Sequence, residues 1–280
     1  FNRFYKWACL LIILLTAGEL LRQSWKYLPF VKPELVFPQT EITQYLEENI
    51  GNNRLLITNG ELFPPNANLA YQIPMIDGYA SIRDKRYDYL VRLMAGNPDP
   101  NDLKTYDRII YQPDWRSQVA DLLRVKYVLS LYEIDDSRLS LVLHRGETWL
   151  YEKSSAFDLA FFVDSYSVGN DLSGIAQQML TTDLSRQAIL EKEIGRLDLG
   201  RGKVEVVSYQ DNEIILNTSN DKVGLLLLTE AYDPGWRATI DGQSVGILRA
   251  DLDIRAIVVD RGDHQVKLDY RPVGWKLPID

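Results

Sequence analysis

The chain has 280 residues, of which 46% are hydrophobic and 25% charged, and its formal net charge is −8. This composition is typical of a folded globular protein, and the acidic balance argues against nucleic acid as a partner because phosphate binding requires a basic surface. A single cysteine, Cys9, excludes an internal disulfide, and two widely separated histidines, His144 and His264, argue against a zinc site. We expect no metal and no cofactor.

The first feature along the chain is an apolar segment at residues 7–21, WACLLIILLTAGELL. Its uncharged core, residues 7–18, is shorter than the about 20 residues that a membrane span requires. A signal-peptide core, a buried helix and a membrane-spanning helix all fit this length. Aromatic residues on both sides, among them Tyr5 and Trp25, are typical of a span whose ends lie at the membrane surface. Basic residues at both ends leave the orientation open.

The middle of the chain alternates between helical and strand patterns. Hydrophobic spacing and turn residues predict helices at 40–51, 84–94, 115–123 and within 172–194, the last comprising GIAQQML and SRQAILEKEI. They predict strands at 54–58, 126–131, 139–143, 149–153 and 159–163, and a loop at 59–68. We therefore expect a mixed α/β region.

A glycine-flanked turn at residues 200–202 separates this region from a stretch that is nearly all strand. Its predicted strands are 204–209, 213–218, 223–230, 237–240, 244–249, 254–259 and 264–270. Turn sequences such as DPG, DG and RGD separate them. Seven short strands at this spacing indicate an antiparallel β-sandwich, in which the run VGLLLL at 223–228 is the most buried strand.

The block from Tyr232 to Pro272 carries a recognisable pattern: a Pro-Gly-Trp turn at 234–236, Asp-Gly at 241–242, a strand ending near Arg249, Arg-Ala at 255–256, a Gly-x-His at 262–264 and Tyr-Arg-Pro at 270–272. It resembles the C-terminal signature of the YfhO-type bacterial membrane proteins. Residues 77–89, 122–130 and 150–163 resemble further family stretches, although Asp158-Leu159 replaces the family's usual Pro-Arg.

The resemblance implies a multi-pass glycosyltransferase of the GT-C type in the cell membrane. Such a protein takes a sugar from a polyprenyl-phosphate carrier and transfers it to a cell-envelope polymer outside the cytoplasm. The catalytic acid then belongs to an early loop of the membrane bundle, so we expect no catalytic residue here and expect this chain to be a part of a longer protein.

The expected fold class is α+β, with an N-terminal transmembrane helix, a mixed α/β middle and a C-terminal antiparallel β-sandwich. The corresponding division is 1–30 for the transmembrane helix and flanks, 31–199 for an extracytoplasmic α/β domain, 200–272 for the sandwich, and 273–280 for the lead into another span. The bulk of the chain is expected on the extracytoplasmic side, with the lipid bilayer, a polyprenyl-phosphate sugar and the envelope polymer as partners.

Two groups of residues are candidates for substrate binding. Trp236 and Tyr232 offer aromatic faces for a sugar ring, while Arg249 and Arg255 flank a turn and offer forked donors for hydroxyl or phosphate groups. The alternative is that Trp236 packs on the sandwich core and both arginines form ion pairs with Asp241, Asp251 or Asp253.

The second group is Tyr79 and Arg86, of which Arg86 could reach an anionic acceptor or a lipid headgroup. Besides a glycosyltransferase region, the sequence is compatible with a non-catalytic carbohydrate-binding or structural β-sandwich module for envelope assembly.

Overall fold

The computed structural model describes residues 2–27, 31–58, 62–63, 66–76, 78–79, 84–96, 114–195 and 197–272. The chain divides into two compact units, Phe1–Thr40 and Glu41–Asp280. The predicted loop at 59–68 lies partly outside the described residues. The sequence NPDPN at 97–101, which is expected to end the helix at 84–94, and the end of the chain at 273–280 lie wholly outside them.

The first unit is dominated by one helix, α1, at Asn2–Tyr27. Its segment Arg3–Tyr27 is long and apolar enough to cross a membrane, and none of it is buried. At a rise of about 1.5 Å per residue, α1 spans about 39 Å, more than the about 30 Å of a hydrocarbon core. Near its C-terminal end Arg22 pairs with Glu19 at 2.6 Å. A short 3₁₀ helix, Pro33–Leu35, follows. The N-terminal apolar helix is thus confirmed.

The second unit begins with an α/β part. Its helices are α2 (Glu41–Asn49), α3 (Lys85–Met94), α4 (Gln118–Leu122) and α5 (Leu172–Thr181), with a 3₁₀ helix at Ala67–Tyr71. Asp84, Ser117 and Asp171 cap the last three helices, each accepting a hydrogen bond from a backbone N–H of the first turn. Four strands, β1 (Arg54–Ile57), β2 (Val125–Ser130), β3 (Leu139–Arg145) and β4 (Thr148–Lys153), form a sheet in the order β1-β2-β4-β3, in which only β1 and β2 run parallel.

The remaining strands form two more sheets. They are β5 (Ala160–Val163), β6 (Ser165–Val168), β7 (Gln187–Leu190), β8 (Lys203–Gln210), β9 (Glu213–Asn220), β10 (Gly224–Ala231), β11 (Trp236–Ile240), β12 (Gln243–Val245), β13 (Leu248–Ala250), β14 (Ile254–Val259) and β15 (Gly262–Tyr270). A six-stranded sheet has the order β5-β10-β14-β13-β7-β6, and a five-stranded antiparallel sheet has the order β12-β11-β15-β9-β8.

The six-stranded sheet is covered on both faces, as the alternation along β10 shows. Leu226 and Leu228 belong to a core shared with the five-stranded sheet, whereas Leu225 and Leu227 belong to a core shared with α3, α4, α5 and the four-stranded sheet. All four leucines are fully buried. A strand buried on both faces has no polar alternation, which explains the continuous run of leucines.

A third core lies on the other face of the four-stranded sheet. Leu55 and Ile57 of β1 pack there with Leu46 of α2 and with Ile73, while Leu56 points to the opposite core. The predicted mixed middle region and strand-rich C-terminal region are confirmed, and a sandwich is formed where the five- and six-stranded sheets face each other across a shared core.

The structure corrects three details. The stretch 185–194 is not helical but contains β7, because Ala188 and Ile189 are buried between parallel partner β6 and antiparallel partner β13. The strand β6 was not predicted. The single predicted strand 244–249 is two strands, β12 and β13, which belong to different sheets.

The predicted division at residue 200 stays a prediction. In the structure, the six-stranded sheet combines β5, β6 and β7 from before this position with β10, β13 and β14 from after it.

Candidate functional site

The Pro-Gly-Trp turn between β10 and β11 is held by the side chain of Asp233, whose Oδ1 accepts a hydrogen bond from the Gly235 N–H at 2.7 Å. A Cβ at Gly235 would come within 2.7 Å of the Tyr270 ring and 2.9 Å of the Arg271 carbonyl oxygen, so only glycine fits. The Arg271 N–H donates back to the Gly235 carbonyl at 2.8 Å. The first and last parts of the C-terminal pattern therefore pack directly against each other.

Trp236 is partly buried beside this turn. Its ring lies 5.3 Å from the Tyr270 ring, and on β11 and β15 the two residues are direct partners. The Arg255 guanidinium lies 4.2 Å from the centre of the Trp236 ring. Because Arg255 is only 3% exposed, this cation–π contact lies inside the protein.

Arg249 and Arg255 are direct partners on the neighbouring antiparallel strands β13 and β14. Paired residues of two strands project from the same face of a sheet, so the two arginines that flank this turn lie next to each other on one face. Arg249 makes a second arginine–aromatic contact, with its guanidinium 4.2 Å from the centre of the Tyr232 ring. The Tyr232 N–H donates to the Asp253 carbonyl at 2.7 Å, which fixes it beside the β13–β14 turn.

Tyr232 and Arg249 line a surface cleft of about 240 Å³. Its other lining residues come from the end of β7 and the start of β13: Leu190, Glu191, Lys192, Ile247 and Leu248. The cleft thus combines apolar side chains with two cationic groups, one carboxylate and one aromatic ring. Such a mixture can hold a polar ligand that also has an apolar face.

Two buried carboxyl groups lie in the turn that joins β13 to β14, close in sequence to Arg249. Asp251 and Asp253 have no exposed surface, and burial raises the pKa of each to about 7. The Ile189 N–H donates to Asp251 Oδ1 at 2.8 Å, while Asp253 Oδ1 lies 3.7 Å from Arg249 Nε. Asp251 and Leu252 both have left-handed backbone, with φ of 47° and 71°, which is a strained conformation for leucine.

Polar atoms without partners concentrate at this turn. Within the described ranges, eight buried side-chain nitrogen or oxygen atoms have no hydrogen-bond partner, and five of them belong to residues between Arg249 and Arg255. Buried polar atoms normally have hydrogen-bond partners, so this concentration of unpaired atoms indicates that the turn does not serve only to stabilise the fold.

The structure separates the predicted site residues into two environments. Tyr232 and Arg249 line the cleft, whereas Trp236 and Arg255 lie against each other toward the sandwich interior. Of the predicted ion pairs, Arg249 with Asp253 is present at 3.7 Å. Asp241 instead bonds to His264, with Oδ2 2.7 Å from Nδ1, and accepts the Gln265 N–H at 2.9 Å, and these hydrogen bonds lower the pKa of the Asp241 carboxyl.

Arg86 and Tyr79 lie in different surroundings. Arg86 pairs with Glu191 of the cleft and donates from Nη1 to the Leu252 carbonyl at 3.2 Å, so it borders the cleft. Tyr79 is 39% exposed, and its backbone exchanges two hydrogen bonds with the Asn66 side chain, of 2.8 and 2.9 Å. Binding by any of these six residues remains a prediction.

Sequence reasoning missed Glu191, Lys192 and the charged group at the end of β10. Glu191 and Lys192 were assigned to a helix, which hid their place at the end of a strand. Glu230 ends the buried run VGLLLLTE, and Arg124 interrupts the largely apolar residues 122–129. A charged residue within a buried apolar run indicates a buried ion pair, which Arg124 and Glu230 form.

Comparison with known proteins gives a match over the C-terminal third of the chain. Residues 189–279 match the family model described as "Bacterial membrane protein YfhO". No curated protein and no solved structure matches the chain. All seven residues that line the cleft lie inside the matched segment, whereas the similar stretches at 77–89, 122–130 and 150–163 lie outside it. This match, over about a third of the chain, supports a YfhO-type bacterial membrane protein, and the apolar helix Arg3–Tyr27 agrees with it.

Proposed function

We propose that the chain is the extracytoplasmic C-terminal region of a multi-pass membrane glycosyltransferase. The whole protein would transfer a sugar from a polyprenyl-phosphate carrier to a cell-envelope polymer, and this region would hold or orient the acceptor. The observation that carries the proposal is the position of the cleft, because all of its lining residues belong to the segment that matches the family model.

The size and lining of the cleft suit a short piece of carbohydrate. Its volume of about 240 Å³ is below the about 300–1,000 Å³ of pockets that enclose drug-sized ligands, so one sugar unit of a longer polymer is a suitable occupant. Lys192 and Arg249 can donate to hydroxyl oxygens, Glu191 can accept from hydroxyl groups, and Leu248 offers an apolar surface to the C–H face of a sugar ring.

The side of the membrane can be tested by labelling in intact cells. Ser244 on β12 is exposed, so Ser244→Cys in a Cys9→Ser background places one reactive thiol on the second unit. We expect a membrane-impermeant thiol reagent to label this cysteine from outside. Labelling that requires permeabilised cells would place this region in the cytoplasm and contradict the proposal.

The activity can be tested by deleting the gene of the whole protein and analysing the envelope polymers. We expect one polymer to lose a sugar substituent and to regain it when the unaltered gene is restored. A deletion strain with unchanged sugar content in its envelope polymers would contradict a glycosyltransferase role.

The second candidate function is a non-catalytic carbohydrate-binding or structural module. The observation that favours it is the stacking of Arg249 on Tyr232, which already occupies part of the aromatic surface that a sugar ring would use. In that case the deletion strain keeps its polymer glycosylation, but other components of the envelope fail to assemble.

A further inference from the structure

A second group of charged residues lies where the four-stranded sheet meets the sandwich. Glu230, at the end of β10, binds two arginines at once: Arg54 Nη2 lies 2.9 Å from its Oε2, and Arg124 Nη2 donates to its Oε1. The Tyr209 hydroxyl also donates to Oε1, at 2.6 Å. One carboxylate is therefore shared by two guanidinium groups and a phenol.

Arg255 adds a third guanidinium group to this cluster. Its Nε donates to the Ala231 carbonyl at 3.0 Å, next to Glu230 in the chain. Burial lowers the pKa of Arg255 to about 10, and burial together with the neighbouring charge of Arg54 lowers the pKa of Arg124. Three cationic groups face one anionic group, so this arginine cluster (Arg54, Arg124, Arg255, Glu230 and Tyr209) has an excess of two positive charges.

The cluster also has donors that are not used. Arg124 is 2% exposed, yet its Nε and Nη1 have no hydrogen-bond partner among the described residues, and the same holds for Nη1 of Arg255. Arg124 also has left-handed backbone, with φ of 58°, which is uncommon for a residue other than glycine. Buried guanidinium groups are normally saturated with acceptors, so these N–H groups are available to an acceptor from outside the chain.

We propose that Arg124 and Arg255 bind a phosphate-type oxyanion at this cluster. A phosphate group carries about −1.5 to −2 charges near pH 7, which balances the excess positive charge of the cluster. Its oxygens also match the forked N–H donors of guanidinium groups. None of the cluster residues lines the cleft, so the inference is independent of the proposed glycosyltransferase function.

A bound anion would connect two parts of the fold. Arg54 begins β1 and Arg124 directly precedes β2, whereas Glu230 and Arg255 belong to β10 and β14 of the six-stranded sheet. The anion would therefore stabilise the junction between the four-stranded and six-stranded sheets, and its main observable effect is on thermal stability.

The test is thermal unfolding of the full chain in uncharged detergent, followed by tryptophan fluorescence at constant ionic strength. Inorganic phosphate at about ten times its Kd should raise Tm by roughly 3–6 °C, while chloride should not. Dimethyl phosphate serves as a diester probe: a rise with inorganic phosphate alone indicates a free or terminal phosphate, and a rise with both indicates that a diester also fits. An equal response to chloride, or no response to phosphate, would overturn the proposal.

Variants locate the site. Arg255→Met keeps both Glu230 ion pairs and should abolish the phosphate-dependent rise in Tm. The control, Arg201→Gln, removes an exposed arginine that pairs with Asp164, and it should retain the rise in Tm. The reverse result would place the anion elsewhere. If Arg255→Met fails to fold, ³¹P NMR of the unaltered chain decides: the protein should broaden the phosphate resonance and sulfate should reverse the broadening, whereas an unbroadened resonance contradicts the site.

Discussion

Two arginine–aromatic pairs lie side by side in this protein. They have the same separation between guanidinium group and ring, but they differ in solvent exposure and in the residues around them. Arg249 on Tyr232 and Arg255 on Trp236 have the same separation of 4.2 Å between guanidinium and ring centre, and the two arginines are direct partners on β13 and β14. Arg249 nevertheless lines an open cleft, whereas Arg255 is 3% exposed and belongs to a buried charge cluster.

The difference shows that the surroundings, and not the contact itself, decide what such a pair does. An arginine stacked on an aromatic ring at the surface can exchange this contact for a ligand, because water can solvate the groups that move. A buried arginine cannot exchange its contact in this way. The guanidinium charge, and the carbonyl group that accepts its hydrogen bond, would then be buried without a partner. We therefore propose that Tyr232 and Arg249 bind the acceptor, whereas the contact between Trp236 and Arg255 stabilises the fold and holds Arg255 in place for the proposed anion site.

The largest expected effect comes from removing the only carboxylate of the arginine cluster. Glu230→Gln leaves Arg54 and Arg124 without their anionic partner, and breaking a buried ion pair in this way costs about 3–5 kcal/mol. Urea denaturation should show this loss. Glu213→Gln is the matched control, because it removes an exposed carboxylate paired with Lys267 and should cost less than about 1 kcal/mol. Equal losses for the two variants would mean that the cluster does not stabilise the fold.

The next effect compares the two stacked arginines directly. Arg255→Ala removes buried contacts on Trp236 and leaves the Ala231 carbonyl without its donor, which should cost about 2–4 kcal/mol. Arg249→Ala, at the edge of the cleft, should cost less than about 1 kcal/mol. Both are measured by the shift of the urea midpoint. A greater loss for Arg249→Ala would reverse the assignment.

A smaller effect concerns the pH dependence of stability at the β13–β14 turn. Burial raises the pKa of Asp251 to about 7 in the folded protein, whereas an unfolded aspartate titrates near about 4. The folded state therefore binds the proton more tightly, so stability is highest below about pH 4, falls as the pH rises to about 7, and is constant above.

Asp251→Asn should remove this part of the pH dependence and raise stability by about 1–3 kcal/mol at pH 8, because an amide oxygen can still accept the Ile189 N–H. Asp263→Asn, at an exposed position of β15, should leave the pH dependence unchanged. Parallel stability curves for the unaltered chain and Asp251→Asn, measured from pH 4 to 8, would contradict a buried carboxyl with a raised pKa.

Local patterns predicted most of the fold where the burial of an element can be read from its own residues. The leucine run of β10 predicted the most buried strand of the C-terminal region, and the turn sequences around β11 and β15 predicted where these strands begin and end. The β7 strand was assigned to a helix because Gln187–Leu190 has no pattern that distinguishes the two structures. Its conformation depends on pairing with β6 and β13, which are remote in the sequence.

The candidate site was predicted in part for the same reason. Arg249 and Arg255 flank a turn that is visible in the sequence, which placed these two residues near each other. The roles of Glu191, Lys192 and Arg124 depend on the packing of distant strands. The difference in burial between Arg249 and Arg255 depends on which residues cover each of them on the same face of the β13–β14 pair. Sequence periodicity reports which face a residue occupies, but not what lies opposite that face.

The central claim is that the cleft beside Arg249 binds the acceptor in the whole protein. The most direct measurement is glycosylation of the envelope polymer in cells that carry Arg249→Gln, compared at equal protein level with Lys222→Gln, an exposed control on the same unit. Losing one charge-assisted contact should reduce glycosylation by about tenfold or more in Arg249→Gln, with full activity in Lys222→Gln and an unchanged Tm in both. Glycosylation at the level of the unaltered protein in Arg249→Gln would contradict the account.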